Sequence, residues 1–354
     1  MRIVFDIGGT TFRYAKYVDG VLVAAAKEPT PNFLQGHDPK TIHQRLLKLI
    51  AETIGADQSR ITQIGLCYAG PVSSDGKVLG SPTIQGAALE RPFDLKHAVQ
   101  TLVGIPDVWV INDLSAAAYR YLDDYRSFEL ITVSTSVGNK IVIDGRLQLG
   151  PEGLEGELGH LLACLPTRYA EAVAIDCSCG TGLNHIGAIA SGRGIVEVAK
   201  QLSLGALSSS YATSLLRSSG DVDSDDPDSE QLTAADISAA CEQGDVFAQC
   251  VIDICTYPLA HAICLTLTSL YLEKVILMGG VILNSQPYFD SLLRNILRIG
   301  VYNYSPEHLR QKIIKGAADD DSGLIGMCRY LDAQRYPLPG HAEITSVWIR
   351  RDNR

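Results

Sequence analysis

The sequence predicts a mixed α/β protein of two lobes with similar fold, each contributing one glycine hairpin to a shared cleft. Three observations predict it. A β-turn-β-Asp-Gly-β pattern opens the chain and recurs 125 residues later, with its Asp-Gly turns at Asp19-Gly20 and Asp144-Gly145. Mixed helices and strands follow each copy. The chain is 354 residues long and 46% hydrophobic, enough for two cores at roughly 100–200 residues per domain. The expected small lobe is 1–113 plus about 320–354. The expected large lobe is 114–319, with an acidic surface insertion at about 205–230.

Each element has its own reason. Residues 2–6 are an apolar run cut off by Gly8-Gly9 too early for a helix, hence a strand. Gly8-Gly9-Thr10-Thr11 turns the chain, residues 11–18 alternate, Asp19-Gly20 signals a hairpin, and residues 21–26 return. Ile42, Leu46, Ile50 and Ile54 stripe a helix over 41–54, capped by Gly55. Residues 61–68 form a strand ending at Ala69-Gly70-Pro71. Residues 107–112 are so apolar that the strand is expected to be buried on both faces, with a helix over 114–122 after it. The second copy has strands at 130–135, 140–143 and 146–149, with a turn at Ser136-Val137-Gly138-Asn139. The acidic run Gly220–Asp228 reads as a solvated loop. It lacks the glycine and distal glutamate of a calcium-binding EF-hand. Thr233 suits a helix cap, and a long helix is expected from near Asp245 past Pro258, kinked there. Residues 274–278 form a strand ending at Gly279-Gly280.

Composition narrows the function. The formal charge is −10 and no Lys/Arg run stands out, so neither nucleic acid nor an anionic membrane is an expected partner. The longest apolar stretch, residues 259–272, contains His261 and several hydroxyl side chains and falls short of the roughly 20 residues of a span. Asp6 comes too early for a signal peptide. Nine scattered cysteines, an odd number, fit reduced thiols in the cytoplasm.

Three segments carry candidate chemistry. In Asp6-Ile7-Gly8-Gly9-Thr10-Thr11, glycines let backbone N–H groups approach a polyphosphate, the threonine hydroxyls add donors, and Asp6 suits Mg²⁺ directly or through water. A plain hairpin is the alternative. No Gly-x4-Gly-Lys-Ser/Thr P-loop is present. Asn112-Asp113 closes a strand, where open α/β sheets place ligands. Asp113 could take a proton from a substrate hydroxyl that Asn112 orients, or cap the next helix, or both. Glu157 and His160, among Gly153, Gly156 and Gly159, offer a carboxylate and an imidazole to the hydroxyls of a polyol. His160 could instead bind metal with Cys177 and Cys179. Their Cys-x-Cys spacing is tighter than usual for zinc and reads first as free thiols near a turn.

In this order the pieces resemble the ROK (repressor, ORF, kinase) family of sugar kinases, in the actin/hexokinase-like superfamily. The motifs are Asp6-Ile7-Gly8-Gly9-Thr10, Gly70-Pro71-Val72 with Ser81-Pro82, Asn112-Asp113, Gly138 with Ile141–Arg146, Gly156-Glu157-Leu158-Gly159-His160, Cys177-Ser178-Cys179-Gly180, Gly279-Gly280-Val281 and Gly323-Leu324-Ile325-Gly326. The resemblance spans nearly the whole chain. It implies a two-lobed actin-like (ribonuclease H-like) ATPase fold with a central cleft. It also implies ATP-dependent transfer of the γ-phosphate to a hydroxyl of a hexose or hexose-like substrate: glucose, an amino sugar or a C7-cyclitol. Mg²⁺, a structural Zn²⁺ and a cytoplasmic homodimer are implied with it. Asp113 would be the general base. Gly70, Thr83, Asn112, Asp113, Glu157 and His160 would meet the substrate. Asp6, Gly8, Gly9, Thr10 and Thr11, with Thr135, Gly138 and Lys140, would handle phosphate and Mg²⁺, and Gly279 and Gly280 would lie against the adenosine.

The sequence departs from the family in several places. The second phosphate hairpin, usually glycine-rich, is Ser134-Thr135-Ser136-Val137-Gly138-Asn139-Lys140; Lys140 either meets a phosphate as a point charge or points to solvent. The family's third zinc cysteine falls near Asn184, which leaves His160, Cys177, Cys179 and His185 as the implied zinc set. Ile186 or Gly187 stands at the family's sugar-binding glutamate, and Thr83 where glucose-specific members often have Asn. Lost polar partners point away from plain glucose, toward an amino sugar, a rare hexose or a cyclitol such as a valiolone. The alternative is a catalytically inactive sugar-binding or regulatory member. A DNA-binding helix-turn-helix ahead of Asp6 is not expected, and a polyphosphate donor would call for a basic track that the sequence lacks.

Overall fold

The computed structural model describes residues 1–218, 232–319 and 321–335. The chain forms two compact units. Unit 1 is Met1–Tyr121, Pro151–Gly153 and the chain from Asp321; unit 2 is Leu122–Gly150 and Leu154–Asp320. Residues 219–231, which hold the acidic run of the expected insertion, lie outside the described residues.

Unit 1 opens with an antiparallel meander of β1 (Arg2–Ile7), β2 (Thr11–Val18) and β3 (Val21–Pro29). Asp19 and Gly20 have φ of 49° and 84°, the mirror-image turn whose twist matches the strands it joins. α1 (Pro39–Ile54) is capped by the Asp38 side chain and buries Ile42, Leu46, Ile50 and Ile54, the expected stripe. β4 (Gln63–Tyr68) is buried throughout. β5 (Val78–Ser81) and β6 (Ala87–Phe93) pair as a small separate sheet. α2 (Leu95–Val103), β7 (Val108–Asn112) and α3 (Asp113–Tyr119) follow. The main sheet runs β3-β2-β1-β4-β7, with β1, β4 and β7 parallel. The expectation that β7 is buried on both faces is corrected. It is an edge strand, with Val108 and Val110 buried and Trp109 and Ile111 only partly so.

Unit 2 repeats this plan. β8 (Phe128–Val133), β9 (Val137–Ile143) and β10 (Arg146–Leu147) form the meander, with Asp144 and Gly145 at φ of 51° and 76°. The helices α4 (Ile186–Ala190), α5 (Gly192–Leu204), α6 (Ser208–Tyr211), α7 (Ala234–Glu242) and α8 (Val246–Ser269) come next. Then come β11 (Lys274–Met278), α9 (Gly280–Asn284), α10 (Gln286–Ile299), α11 (Pro306–Lys312) and β12 (Ile313–Lys315). The sheet order is β10-β9-β8-β11-β12, with β8, β11 and β12 parallel. Each main sheet is therefore an antiparallel meander extended by two more parallel strands. The turn expected at Ser136–Asn139 lies earlier, at Ser134-Thr135-Ser136. Val137, Gly138 and Asn139 are in β9, opposite Val133, Thr132 and Ile131, so the ladder claims them.

Thr233 caps α7 in a reciprocal capping box with Asp236. α8 runs unbroken across Pro258. It also corrects the length of the apolar run. Its 24 residues include an 18-residue window of mean hydropathy 1.6, long and apolar enough to cross a membrane, yet 67% of that window is buried inside the protein. Phe247, Val251, Ile254, Leu259, Ile263 and Leu267 belong to the core of unit 2, as befits a helix apolar all round. The chain then returns to unit 1 as α12 (Ser322–Arg335), which packs on α3 and β4 with Leu324, Met327 and Leu331 in a small core beside Val4, Cys67 and Ala116.

Candidate active-site residues

In unit 1 the candidates gather at the C-terminal ends of the parallel strands, where such sheets place ligands. Asp6, on β1, is 7% exposed and lies 3.3 Å from Arg13 Nη1, its cross-strand partner. The Gly8 N–H donates to the Thr11 carbonyl and closes the turn. Gly9 packs on Thr83; a Cβ there would fall 2.6 Å from the Thr83 Cβ, so no larger residue fits unless Thr83 moves. Asn32 donates to the Gly9 carbonyl and holds it from the other side. Gly8, Gly9, Thr10, Thr11 and Thr83 are thus brought together. Gly323, at the start of α12, backs onto the Asp6 carboxylate, where a Cβ would lie 2.9 Å from Cγ.

Gly70 (φ 153°) lies so close to Gly80 that a Cβ would fall 2.7 Å from the Gly80 carbonyl oxygen. The Asn112 amide donates to the Gly70 carbonyl at 3.0 Å and to Asp113 Oδ1 at 2.8 Å. The reading of Asp113 as the cap of α3 is corrected. Asn112 is the cap, its Oδ1 accepting the Ser115 N–H at 3.0 Å, and Asp113 is the first helical residue, accepting its neighbour's N–H from Leu114. Capping falls to the Asn112 side chain, whose amide also fixes Asp113 Oδ1.

Sequence reasoning missed two supports. Cys67, on β4, is fully buried. Burial pushes its thiol well up, reinforced by the negative charges of Asp6 and Asp113. Gln85 Oε1 accepts the Ser81 N–H at 2.8 Å, while its Nε2 donates to the Tyr68 hydroxyl and lies 3.1 Å from His43 Nε2. His43 stacks on Phe93, and burial pushes its imidazole down to about 4. This network fixes the loop carrying Thr83. No sequence motif marks it, because His43, Tyr68 and Gln85 come from separate parts of the chain.

In unit 2, Thr135 sits in the β8–β9 turn. The Gly192 N–H ties that turn to the helical layer by donating to the Ser134 carbonyl at 2.8 Å. Gly279 (φ 94°) follows β11, the sheet neighbour of β8, and a Cβ there would fall 2.5 Å from the Val133 carbonyl oxygen. Gly280 opens α9. Thr135, Gly279 and Gly280 thus converge, whereas Gly138 lies within β9 opposite Thr132. The expectation that Lys140 points to solvent is corrected: it is 4% exposed, and its ammonium donates to the Glu155 carbonyl.

His160 faces two ways. Its Nε2 lies 3.7 Å from Glu157 Oε2, and its Nδ1 lies 3.5 Å from Cys177 Sγ. Cys179 Sγ lies 3.5 Å from His185 Nδ1, and the four donors of His160, Cys177, Cys179 and His185 all lie within 4.8 Å of one another. Tetrahedral zinc, with Zn–S near 2.3 Å and Zn–N near 2.0 Å, sets its donors roughly 3.3–3.8 Å apart; the two His–Cys pairs at 3.5 Å meet that spacing, and two sulfurs with two nitrogens are a donor set that could hold zinc. Hydrogen bonds from Thr181 draw the Cys179 thiol down to about 6, while burial raises Cys177. The polyol and metal readings of His160 are therefore compatible, one for each ring nitrogen.

A five-stranded sheet of antiparallel meander plus parallel strands, built twice with glycine turns at the strand ends, defines the two-lobed actin-like class of fold. The chain belongs to the ROK family, whose model matches residues 2–333. It is 31% identical to a C(7)-cyclitol 7-kinase of Streptomyces hygroscopicus subsp. limoneus over 355 aligned positions, covering 97% of each chain. It is 30% identical to a glucokinase of Aeropyrum pernix over 343 positions, covering 95% of this chain and 97% of that one. Among solved structures it shares the fold of a ROK family glucokinase from Streptomyces griseus in complex with glucose and AMPPNP (TM-score 0.65, 24% identity, 92% of this chain and 97% of that one). It likewise shares the fold of a ROK hexokinase from Thermus thermophilus (TM-score 0.68, 21% identity, 94% and 99%).

Proposed function

We propose that this protein transfers the γ-phosphate of ATP to a hydroxyl of a hexose-shaped polyol, with a C7-cyclitol favoured over glucose as acceptor. Its family and its full-length kinase relatives make it an ATP-dependent sugar phosphotransferase; the acceptor and the roles of individual residues are the proposal. The observation that carries it is Asn112-Asp113 at the C-terminal end of β7, with Asn112 capping α3 and its amide orienting the Asp113 carboxylate.

On this reading Asp113 takes the proton of the acceptor hydroxyl as its oxygen bonds to the γ-phosphorus and the bond to the ADP oxygen breaks. Asn112 holds Asp113 in place through its amide. Glu157 and His160 take further acceptor hydroxyls. Thr10 and Thr11, with Thr135 and the glycines Gly8 and Gly9, receive the phosphates, and Gly279 and Gly280 the adenosine. Asp6 would hold Mg²⁺, which when bound neutralises charge on the phosphates. Most of the catalysis is then positioning and electrostatics. A zinc ion held by His160, Cys177, Cys179 and His185 would brace the loop bearing Glu157. A cytoplasmic homodimer completes the reading, and light scattering tests the dimer.

The acceptor preference follows from what is missing. Ile186 is buried in the core of unit 2 and Gly187 packs against Gly159, so neither offers the carboxylate that glucose-binding relatives are expected to use. A relative that spans the same length phosphorylates a C7-cyclitol, by its name. Asp113→Asn tests the central assignment. Acceptor-dependent ADP release should fall roughly 10²–10⁴-fold with ATP binding retained. Undiminished turnover in the variant would remove Asp113 as the base.

A further inference from the structure

Two polar residues at the end of the second hairpin, Asn139 and Lys140, are 6% and 4% exposed. Burying long polar side chains in a strand costs free energy unless each finds partners. Both find them in one place, the loop that carries Glu157 and His160. The Asn139 N–H donates to the Gly156 carbonyl at 3.0 Å. Its Oδ1 accepts the Leu158 N–H at 3.3 Å. The Lys140 ammonium donates to the Glu155 carbonyl. Three tie points, at residues 155, 156 and 158, therefore bracket Glu157.

A second layer fixes the first. Glu129 on β8 is fully buried and accepts from Asn139 Nδ2 at 2.7 Å. With the NH₂ end of the amide donating to Glu129 Oε1, Asn139 Oδ1 is turned toward the loop. The loop lies tight on β9. A Cβ on Gly156 would fall 2.0 Å from the Asn139 carbonyl oxygen, and one on Gly159 would fall 2.1 Å from that of Val137. The backbone around Glu157 is thus pinned, while the Glu157 and His160 side chains stay 49% and 44% exposed.

We propose that Asn139 and Lys140, with Glu129 behind Asn139, are positioning residues for the acceptor: side chains that pre-order the 155–160 loop. The proposal rests on the reading of Glu157 and His160 as acceptor ligands. Pre-ordering removes an entropy cost from acceptor binding and leaves the nucleotide side untouched.

The test is a pair of Michaelis constants, for the best acceptor and for ATP, in wild type, Asn139→Ala, Lys140→Met, Glu129→Ala and Glu129→Gln. The expected result is an acceptor KM raised about tenfold in Asn139→Ala and Glu129→Ala, with the ATP KM within about twofold. Glu129→Gln, whose carbonyl can still accept from Asn139, should recover most of the loss seen in Glu129→Ala. Asn139→Ala strands a buried carboxylate, so Glu129→Leu/Asn139→Ala, which removes both partners, supplies the folded comparison if the single variant fails to fold. An unchanged acceptor KM across the set, or acceptor and ATP constants rising together, would overturn the proposal while wild-type turnover upheld the kinase reading. A wild type that phosphorylates no acceptor would remove both.

Discussion

Asn112 and Asp113 are adjacent, and each could have capped α3. The structure gives the cap to Asn112. Removing it by Asn112→Ala should cost about 1 kcal/mol in urea unfolding, the usual value of a lost side-chain cap. It should also lower turnover, since the same amide steadies Asp113; a fall in stability with unchanged turnover would deny it that second role. Glu129 makes a sharper prediction. Burial pushes its carboxyl up to about 7 from its ordinary 4.5. The folded protein therefore holds a proton that the unfolded chain releases, and this contribution to stability is present at low pH. It is lost as pH rises through 7, by about 3 kcal/mol between pH 5 and pH 8. Glu129→Gln stays neutral and loses none of it. Urea unfolding should show the variant gaining on wild type from pH 5 to pH 8, and parallel pH profiles would contradict the assignment.

Elements divide into those legible in the sequence and those set by packing. The hairpins at Asp19-Gly20 and Asp144-Gly145 were legible because their turn demands two consecutive residues at positive φ. α1 was legible because four isoleucine and leucine positions fall on one helical face. The strand ends bearing Asp6, Gly70 and Asn112 were legible through their motifs. The direction of Lys140, the two faces of β7 and the Gln85–Tyr68–His43 network were not, because each is decided by a neighbour distant in sequence. α12 shows how close such packing is. A methyl group on Gly326 would fall 1.7 Å from the Ala116 carbonyl oxygen of α3. Gly326→Ala should push the helices apart and cost roughly 1–3 kcal/mol; a neutral effect in thermal unfolding would mean that the contact is looser than it looks. The His160–Cys177–Cys179–His185 cluster should carry one equivalent of zinc per chain by elemental analysis, lost in Cys179→Ser. Metal-free wild-type protein would argue for free thiols.

At the scale of the whole molecule, one sheet plan is built twice, and each copy brings its own part of the candidate set to its strand ends. Unit 1 supplies Asp6, the Gly8–Thr11 turn, Thr83 and Asn112-Asp113. Unit 2 supplies Thr135, Gly279-Gly280 and the loop with Glu157 and His160. On the proposed reading the protein phosphorylates a hexose-shaped polyol, and the missing carboxylate at Ile186 and Gly187 moves preference from glucose to a cyclitol. The most direct measurement is ADP release with ATP and Mg²⁺ across C7-cyclitols of the valiolone type, glucose, mannose, glucosamine, kanosamine and N-acetylhexosamines, with Asp113→Asn as control. Acceptor-dependent release should show the highest kcat/KM on a cyclitol and be abolished in the variant. Efficient turnover of glucose with none of the cyclitols would contradict the acceptor assignment, and ATP-binding protein with no turnover of any of them would contradict the kinase reading itself.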